Sequence, residues 1–142
     1  YALRWRVEEF HFAWKGGGCD IETTQLRSAD ALATWGTIMA SVAVRALQLR
    51  DAARATPSVA ATSHYSAAEI AATILLRQPP DHTPTQPPTL VRVTRWIAEL
   101  GGYTGRSSGG PPGTVVIRRG LEKVQIVVAA LENQRRRDGP QC

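Results

Sequence analysis

The sequence has little cysteine and no long apolar run. Its 142 residues include only two cysteines, Cys19 and Cys142, which give neither a disulfide framework nor the paired spacing of a metal site. Sparse cysteine of this kind is typical of a reducing cytosol. No stretch approaches the roughly eighteen apolar residues of a membrane span, and no signal peptide is visible. We therefore expect a cytoplasmic protein that does not partner a membrane.

Charge of one sign is in modest excess. The chain carries 17 Lys and Arg against 12 Asp and Glu, a formal net charge of +5. Residues 1–27 and 28–89 each balance, so the whole surplus lies in residues 90–142. A basic end suits nucleic acid, but such a surplus is common and does not identify a partner by itself. Because the sequence begins at Tyr1 rather than Met, inside a helical pattern, we expect the C-terminal piece of a longer protein.

The first fifteen residues, YALRWRVEEFHFAWK, lack Gly and Pro and predict a helix. Apolar residues recur at helical spacing within an arc of about 60°, which predicts one buried face. That face consists of Leu3, Val7, Phe10 and Trp14. The opposite side carries a polar line of four residues: Tyr1, Arg4, Glu8 and Lys15.

Two interpretations of this polar line are open from the residues alone. In the first it is a solvated face, on which Arg4 and Glu8 form an i,i+4 pair worth a few tenths of a kcal/mol. In the second, a carboxylate holds a divalent cation while the neighbouring cations and phenol hold phosphate. Periodicity by itself favours the solvated face.

The four residues of the polar line fit the pattern Y-x2-R-x3-E-x6-K without a gap. This pattern resembles the signature of the insertion sequence 4 (IS-four) family of DDE transposases, the group that includes the Tn-five transposase. A second block, LGGYTGRSSGGPPG followed by RRG, runs from Leu100 to Gly120 and is similar to the C-terminal region of the same family. With two blocks in the same order, the resemblance favours the second interpretation.

The resemblance implies a mainly α fold, in which the last helices of an RNase-H-like catalytic core precede a helical dimerisation domain. Residues 1–55 would end the catalytic domain, and residues 56–65, small and polar, would form a linker. The dimerisation domain would span 66–135 with a proline-rich loop at 78–88, followed by a tail at 136–142.

The resemblance also implies a function in DNA transposition, by cleavage and strand transfer at transposon ends. Two metal ions, Mg²⁺ or Mn²⁺, serve such reactions, and Glu8 matches the last of three metal-binding acids. The two aspartates would lie upstream, so we expect this chain alone to be inactive. The implied partners are transposon-end and target DNA and a second copy in a synaptic homodimer, which would place the protein on the bacterial nucleoid.

Three further positions match family contacts to the DNA backbone: Tyr1, Arg4 and Lys15. Trp5 borders them and could pack on a base or sugar, although a half-buried core tryptophan is an equal alternative. Phe12 departs from the family because a cation is expected there. The alternatives in function are a non-catalytic DNA-binding or dimerisation module and a decayed transposase remnant, which the sequence upstream of Tyr1 would distinguish.

The rest of the chain predicts four more helices. A cap at Ser28 or Asp30 begins one that ends near Ala55, with arginines that we expect to be solvated. Ser66 and Glu69 form a capping box for a helix at 67–77. The loop that follows, QPPDHTPTQPP, is predicted to be an exposed spacer containing a solvated His82. A helix at 90–100 precedes a Gly- and Pro-rich loop, in which Arg106 either meets a phosphate or sits in a tight turn.

The last predicted helix spans 114–137 and carries an apolar seam with alternating steps of four and three. The seam consists of Ile117, Leu121, Val124, Val128 and Leu131. It packs either inside the domain or against a second copy. Because the preceding short helices offer limited apolar surface, we favour the contact with a second copy.

Overall fold

The computed structural model describes residues 2–15, 25–106 and 109–138, with side chains from Arg4 to Trp14 in the first of these ranges. Five α-helices lie in the described part of the chain. They are α1 (Ala2–Lys15), α2 (Ala29–Ala55), α3 (Ala67–Arg77), α4 (Leu90–Leu100) and α5 (Thr114–Asp138). The described residues form no strand, only an isolated bridge between Ala60 and Thr89. The prediction of a mainly α protein is therefore confirmed.

Helices α2 and α3 begin at the capping residues that the sequence predicts. The Ser28 hydroxyl accepts a hydrogen bond from the Ala31 amide at 3.1 Å and caps α2. Ser66 and Glu69 form the reciprocal capping box of α3, at 3.1 and 2.7 Å. Each cap satisfies amides that have no partner within the helix.

The core of the domain is built around α4. Leu90, Val93 and Ile97 are completely buried, and α5 packs along them. The α5 seam contributes Ile117, Leu121, Val124 and Val128, all of them buried. Our preference for this seam as a contact between two copies is therefore wrong, because α4 and α2 of the same chain cover it.

Two glycines let the backbones of α4 and α5 touch. A Cβ atom at Gly120 of α5 would collide with the carbonyl oxygen of Ile97 on α4. A Cβ atom at Gly101, just after α4, would collide with the carbonyl oxygen of Val116 on α5. These close approaches explain how the 11-residue α4 covers so much of the α5 seam.

Helices α2 and α5 run antiparallel. Near the end of α2, Arg54 donates to the carbonyl oxygen of Pro112 at 3.3 Å, just before α5 begins. Earlier on α2, Val42 lies beside Leu121 of α5. The two long helices thus lie side by side in opposite directions, and α4 packs against them.

The segment 56–65, expected to be a linker, is packed into the core. A short 3₁₀ helix spans Ala61–Ser63, and Ala61 and Tyr65 are both buried. The Ala61 amide donates to the Pro88 carbonyl at 3.0 Å, and the hydroxyls of Tyr65 and Thr94 lie 2.9 Å apart. Burial raises the pKa of Tyr65 to about 12. Composition alone missed this packing.

The proline-rich loop is mostly exposed, as expected, but it is anchored at one point. His82 meets the Trp96 ring edge-on, with ring centroids 5.9 Å apart, so the prediction of a solvated His82 is wrong. Arg92 lies over the same ring at 5.3 Å and bonds the Asp81 carboxylate at 2.6 Å. That hydrogen bond lowers the pKa of Asp81.

The expectation that no stretch of the chain is comparable to a membrane span needs correction, because among the described residues α2 is the one helix long and apolar enough to cross a membrane, judged by length and composition only. Its second half packs Ala46, Leu49 and Ala53 into the core. A core helix of a globular domain has the same composition, so hydropathy alone carries no membrane assignment.

Candidate nucleic-acid interface

The predicted helix at the start of the chain exists, but its buried face is rotated from the expected one. Ala13 is 1% exposed and Phe10 is half-buried, whereas Val7 is 54% exposed. The face that meets α2 therefore runs through Glu9, Phe10 and Ala13. Leu3 falls outside the described side chains.

The opposite face of α1 presents Arg4, Trp5 and Glu8 to solvent. The Arg4 Nε and a Glu8 carboxylate oxygen are 3.4 Å apart, and both side chains are more than half exposed. An ion pair this exposed adds a few tenths of a kcal/mol at most. Trp5 is 65% exposed, which excludes the alternative of a half-buried core residue.

Two members of the polar line lie outside what the structure describes. Tyr1 is outside the described residues, and Lys15 ends α1 without a described side chain. Their predicted contacts with the DNA backbone therefore stay predictions.

Arg50 of α2 joins α1 to the rest of the domain. Its guanidinium donates to both carboxylate oxygens of Glu9, at 3.0 and 3.2 Å. It also donates to Asp51 at 2.8 Å and to the hydroxyl of Thr114, the first residue of α5, at 3.2 Å. The Arg50 side chain is only 11% exposed. The expectation of a solvated arginine is wrong here, because three helices meet at this side chain.

The charge balance around Arg50 favours its cationic form. Burial alone would lower the pKa of Arg50, but hydrogen bonds and charges from Glu9 and Asp51 outweigh burial and hold that pKa above its ordinary value. A second ion pair, from Arg6 to Asp51 at 2.8 Å, joins the same two helices at a more exposed point. Together these contacts fix the direction in which α1 presents Glu8.

The other two arginines of α2 are also engaged. Arg45 donates to the carboxylate of Glu69 at 3.0 and 3.2 Å, and Glu69 is buried. Arg54 bonds the Pro112 carbonyl, as described above. Arg45 and Arg54 are both exposed, as expected of solvated arginines, although each also ties α2 to another segment.

The two sequence blocks meet at one cleft. It has a volume of about 620 Å³, with α1 on one side and the Gly- and Pro-rich loop with the start of α5 on the other. The first block contributes Trp5, Glu8, Glu9 and Phe12. The second contributes Tyr103, Gly109, Pro111, Gly113, Thr114, Val115 and Val116. Blocks about ninety residues apart in sequence thus face each other across this cleft, and Glu8 is one of the residues that line it.

The loop wall of this cleft is held by internal hydrogen bonds. The Tyr103 hydroxyl donates to the Gly110 carbonyl at 2.6 Å, and the Gly109 amide donates to the Arg106 carbonyl at 2.9 Å. Gly105 and Gly110 adopt φ values of 65° and 63°, which favour glycine. The Arg106 side chain is exposed. The tight-turn interpretation of this loop therefore holds, with a cation at its surface.

The described residues do not by themselves fit a metal ion. Among residues 2–15, 25–106 and 109–138, no three His, Cys, Asp or Glu residues are grouped to hold one. Glu9, next to Glu8, is already bound by Arg50. A site for Mg²⁺ or Mn²⁺ at Glu8 would need carboxylates from outside the described residues.

Sequence reasoning missed Arg50, although a signal for it existed. Small residues recur on one side of α2 at Gly36, Ala40 and Ala43, a spacing that lets another helix approach closely. Arg50 continues that side two turns later, where a bulky cation needs an acidic partner. Glu9 on the facing helix supplies it.

The described residues form a helical domain with a buried internal seam and with long helices linked by arginine contacts. The family described as Transposase Tn5 dimerisation domain matches residues 41–138, which is more than half of the chain. The chain belongs to this family. The match includes the second half of α2 and all of α3, α4 and α5.

Proposed function

We propose that this chain serves DNA transposition as the C-terminal region of a cut-and-paste DDE transposase of the insertion sequence 4 type. In this proposal α1 belongs to the end of an RNase-H-like catalytic core, and the remainder joins two transposase copies at paired transposon ends. The family match supports the transposase-related role, and the complete protein would then be a DNA-processing enzyme.

The observation that carries the catalytic part is the position of Glu8 on α1. Its carboxylate is exposed beside the cleft, while the adjacent Glu9 is held by Arg50. Glu8 has only an exposed ion pair with Arg4, so its carboxylate can still accept a metal ion that awaits further acids from another part of the protein. Mg²⁺ prefers carboxylates of this kind together with phosphate oxygens. When bound, such an ion would polarise the phosphate that is attacked.

The residues around Glu8 suit the binding of a DNA strand. Arg4 can hold a backbone phosphate through two parallel hydrogen bonds, and the exposed Trp5 ring can stack on a base or sugar. Tyr1 and Lys15 would extend this contact along α1. Phe12 is 68% exposed at the cleft, so it supplies apolar contact where a cation would have supplied charge.

The family match supports a second copy of the chain as a partner. Because a dimer places two α1 helices in one complex, each copy would act on one of two transposon ends. The buried α5 seam does not supply the contact, so the pairing surface lies elsewhere on the domain.

The experiment that tests the proposal replaces Glu8 in the complete transposase. Glu8→Gln keeps the size of the side chain and removes its charge, so end binding and folding should persist. Strand cleavage in Mg²⁺ should fall by about two orders of magnitude or more, because a metal ligand is lost. The matched control is Glu132→Gln, an exposed acid on α5, which should cleave normally. Unimpaired cleavage by Glu8→Gln would remove Glu8 from the catalytic centre.

A further inference from the structure

An apolar groove lies between α2 and α5. Its volume is about 490 Å³, and its lining residues are Val42, Arg45, Leu121, Glu122, Gln125 and Ile126. We call these six residues the α2–α5 groove. Ile126 at its rim is 70% exposed, and no large apolar side chain in the described part of the chain is more exposed. Ile38, one turn before Val42 on α2, is also 54% exposed.

The charged groups around the α2–α5 groove are paired within the chain. Arg45 and Gln125 both donate to the buried carboxylate of Glu69, at 3.0 and 2.7 Å, and Arg118 pairs with Glu122. The groove thus offers no unpaired cation to a phosphate. Its apolar lining and neutralised rim suit a protein surface rather than DNA.

The geometry points to a second copy of this chain as the occupant: we propose that two copies pair through their α2–α5 grooves, each receiving Ile126 of the other. The inference rests on the homodimer in the proposed function and specifies its surface. All six groove residues lie within the range 41–138 that matches the dimerisation family. A groove with a projecting apolar residue at its own rim is self-complementary, as a two-fold contact requires.

The two helices also provide enough length for a stable contact. With 27 and 25 residues, α2 and α5 extend about 40 and 37 Å at 1.5 Å per residue. A stable dimer buries about 800 Å² on each copy. The outer faces of two antiparallel helices of this length can supply that area.

The test is sedimentation of the 142-residue chain and its Ile126→Glu variant. Because Ile126 is exposed in the single chain, the variant should keep its helical content and its unfolding transition. In a two-fold contact the new carboxylate enters the interface twice, so the dimer dissociation constant should rise at least about 100-fold. The matched control is Leu75→Glu on α3, where Leu75 is 56% exposed and outside the groove; it should dimerise like the original chain.

The outcomes separate this inference from the proposal on which it rests. A chain that stays monomeric at high concentration overturns both the groove contact and the homodimer. A dimer that survives Ile126→Glu overturns the groove contact alone, and the homodimer then uses another face. Raising the salt concentration should leave an apolar contact intact or strengthen it; dissociation by salt would overturn the groove as the pairing surface.

Discussion

Arg50 of α2 binds both carboxylate oxygens of Glu9 of α1, across 41 residues of sequence. Glu9 is the neighbour of Glu8, so this contact sets the orientation of the residue that we propose as a metal ligand. Arg50 also reaches Thr114 at the start of α5. One side chain thus connects the helix of the proposed catalytic residue to the domain matched by the dimerisation family.

Removing either partner of this pair should destabilise the domain. Arg50→Met and Glu9→Gln should each lower the free energy of unfolding by roughly 1–3 kcal/mol, because Arg50→Met leaves Glu9 without this partner and Glu9→Gln removes one of the two carboxylates that bind the largely buried Arg50. Together they should cost about 1–2 kcal/mol less than their sum. Urea denaturation of the four proteins of the cycle measures this coupling. A coupling of zero would mean that the two charges act independently.

Arg4 should affect DNA binding without affecting the fold. Arg4→Ala in the complete transposase should reduce the slope of log affinity against log salt by about one unit, because one phosphate contact is lost. The exposure of Arg4 limits its cost in stability to about 0.5 kcal/mol. Arg119→Ala on α5, which removes another exposed arginine, is the matched control. Equal slopes for Arg4→Ala and the unmodified protein would mean that Arg4 does not contact a phosphate and that the polar line is a solvated face.

How much the sequence revealed depends on the range of the interaction. The bounds of α3 and α4 agree with the prediction because the capping box of α3 and the glycine that ends α4 are local signals. The buried face of α1 was predicted wrongly at Val7, since a distant arginine and the small residues of α2 decide which side packs. The burial of Tyr65 depends likewise on Thr94, 29 residues away.

The candidate site divides in the same way. The spacing of Arg4 and Glu8 placed both on one exposed face, which the structure bears out. Periodicity within single helices could not place the Gly- and Pro-rich loop opposite α1. It also could not reveal that Arg50 binds the carboxylate of Glu9. Both the position of the loop and this ion pair depend on how helices far apart in sequence pack.

Gly120 should not tolerate a methyl group. In an exposed helix interior Gly→Ala stabilises by about 1 kcal/mol, but here the added Cβ meets the Ile97 carbonyl oxygen. We expect Gly120→Ala to lower the free energy of unfolding by about 2–4 kcal/mol, because backbone must move. Gly109→Ala, with open space around the added Cβ, should stay within about 0.5 kcal/mol. Thermal unfolding of both variants measures this difference in stability. A stabilised Gly120→Ala would contradict the close approach of the α4 and α5 backbones.

Alkaline pH should destabilise the domain through Tyr65. Burial raises the pKa of Tyr65 from 10.0 to about 12, so the folded state keeps the phenol protonated after the unfolded chain has begun to release its proton. This contribution is complete below pH 10 and is lost as the pH rises towards about 12. Urea unfolding across that range should show a steeper loss for the original protein than for Tyr65→Phe. Parallel pH profiles would show that Tyr65 titrates normally.

The antiparallel contact of α2 with α5 also governs when the protein can fold during synthesis. Arg50 and Thr114 are 64 residues apart, and Arg54 and Pro112 are 58 apart. The apolar face of α2 therefore leaves the ribosome well before the α5 seam that covers it. A chain arrested before Thr114 would expose Leu49, Val93 and Ile97 to chaperones and proteases. The native domain thus forms in a late step, after nearly all of its sequence has been translated.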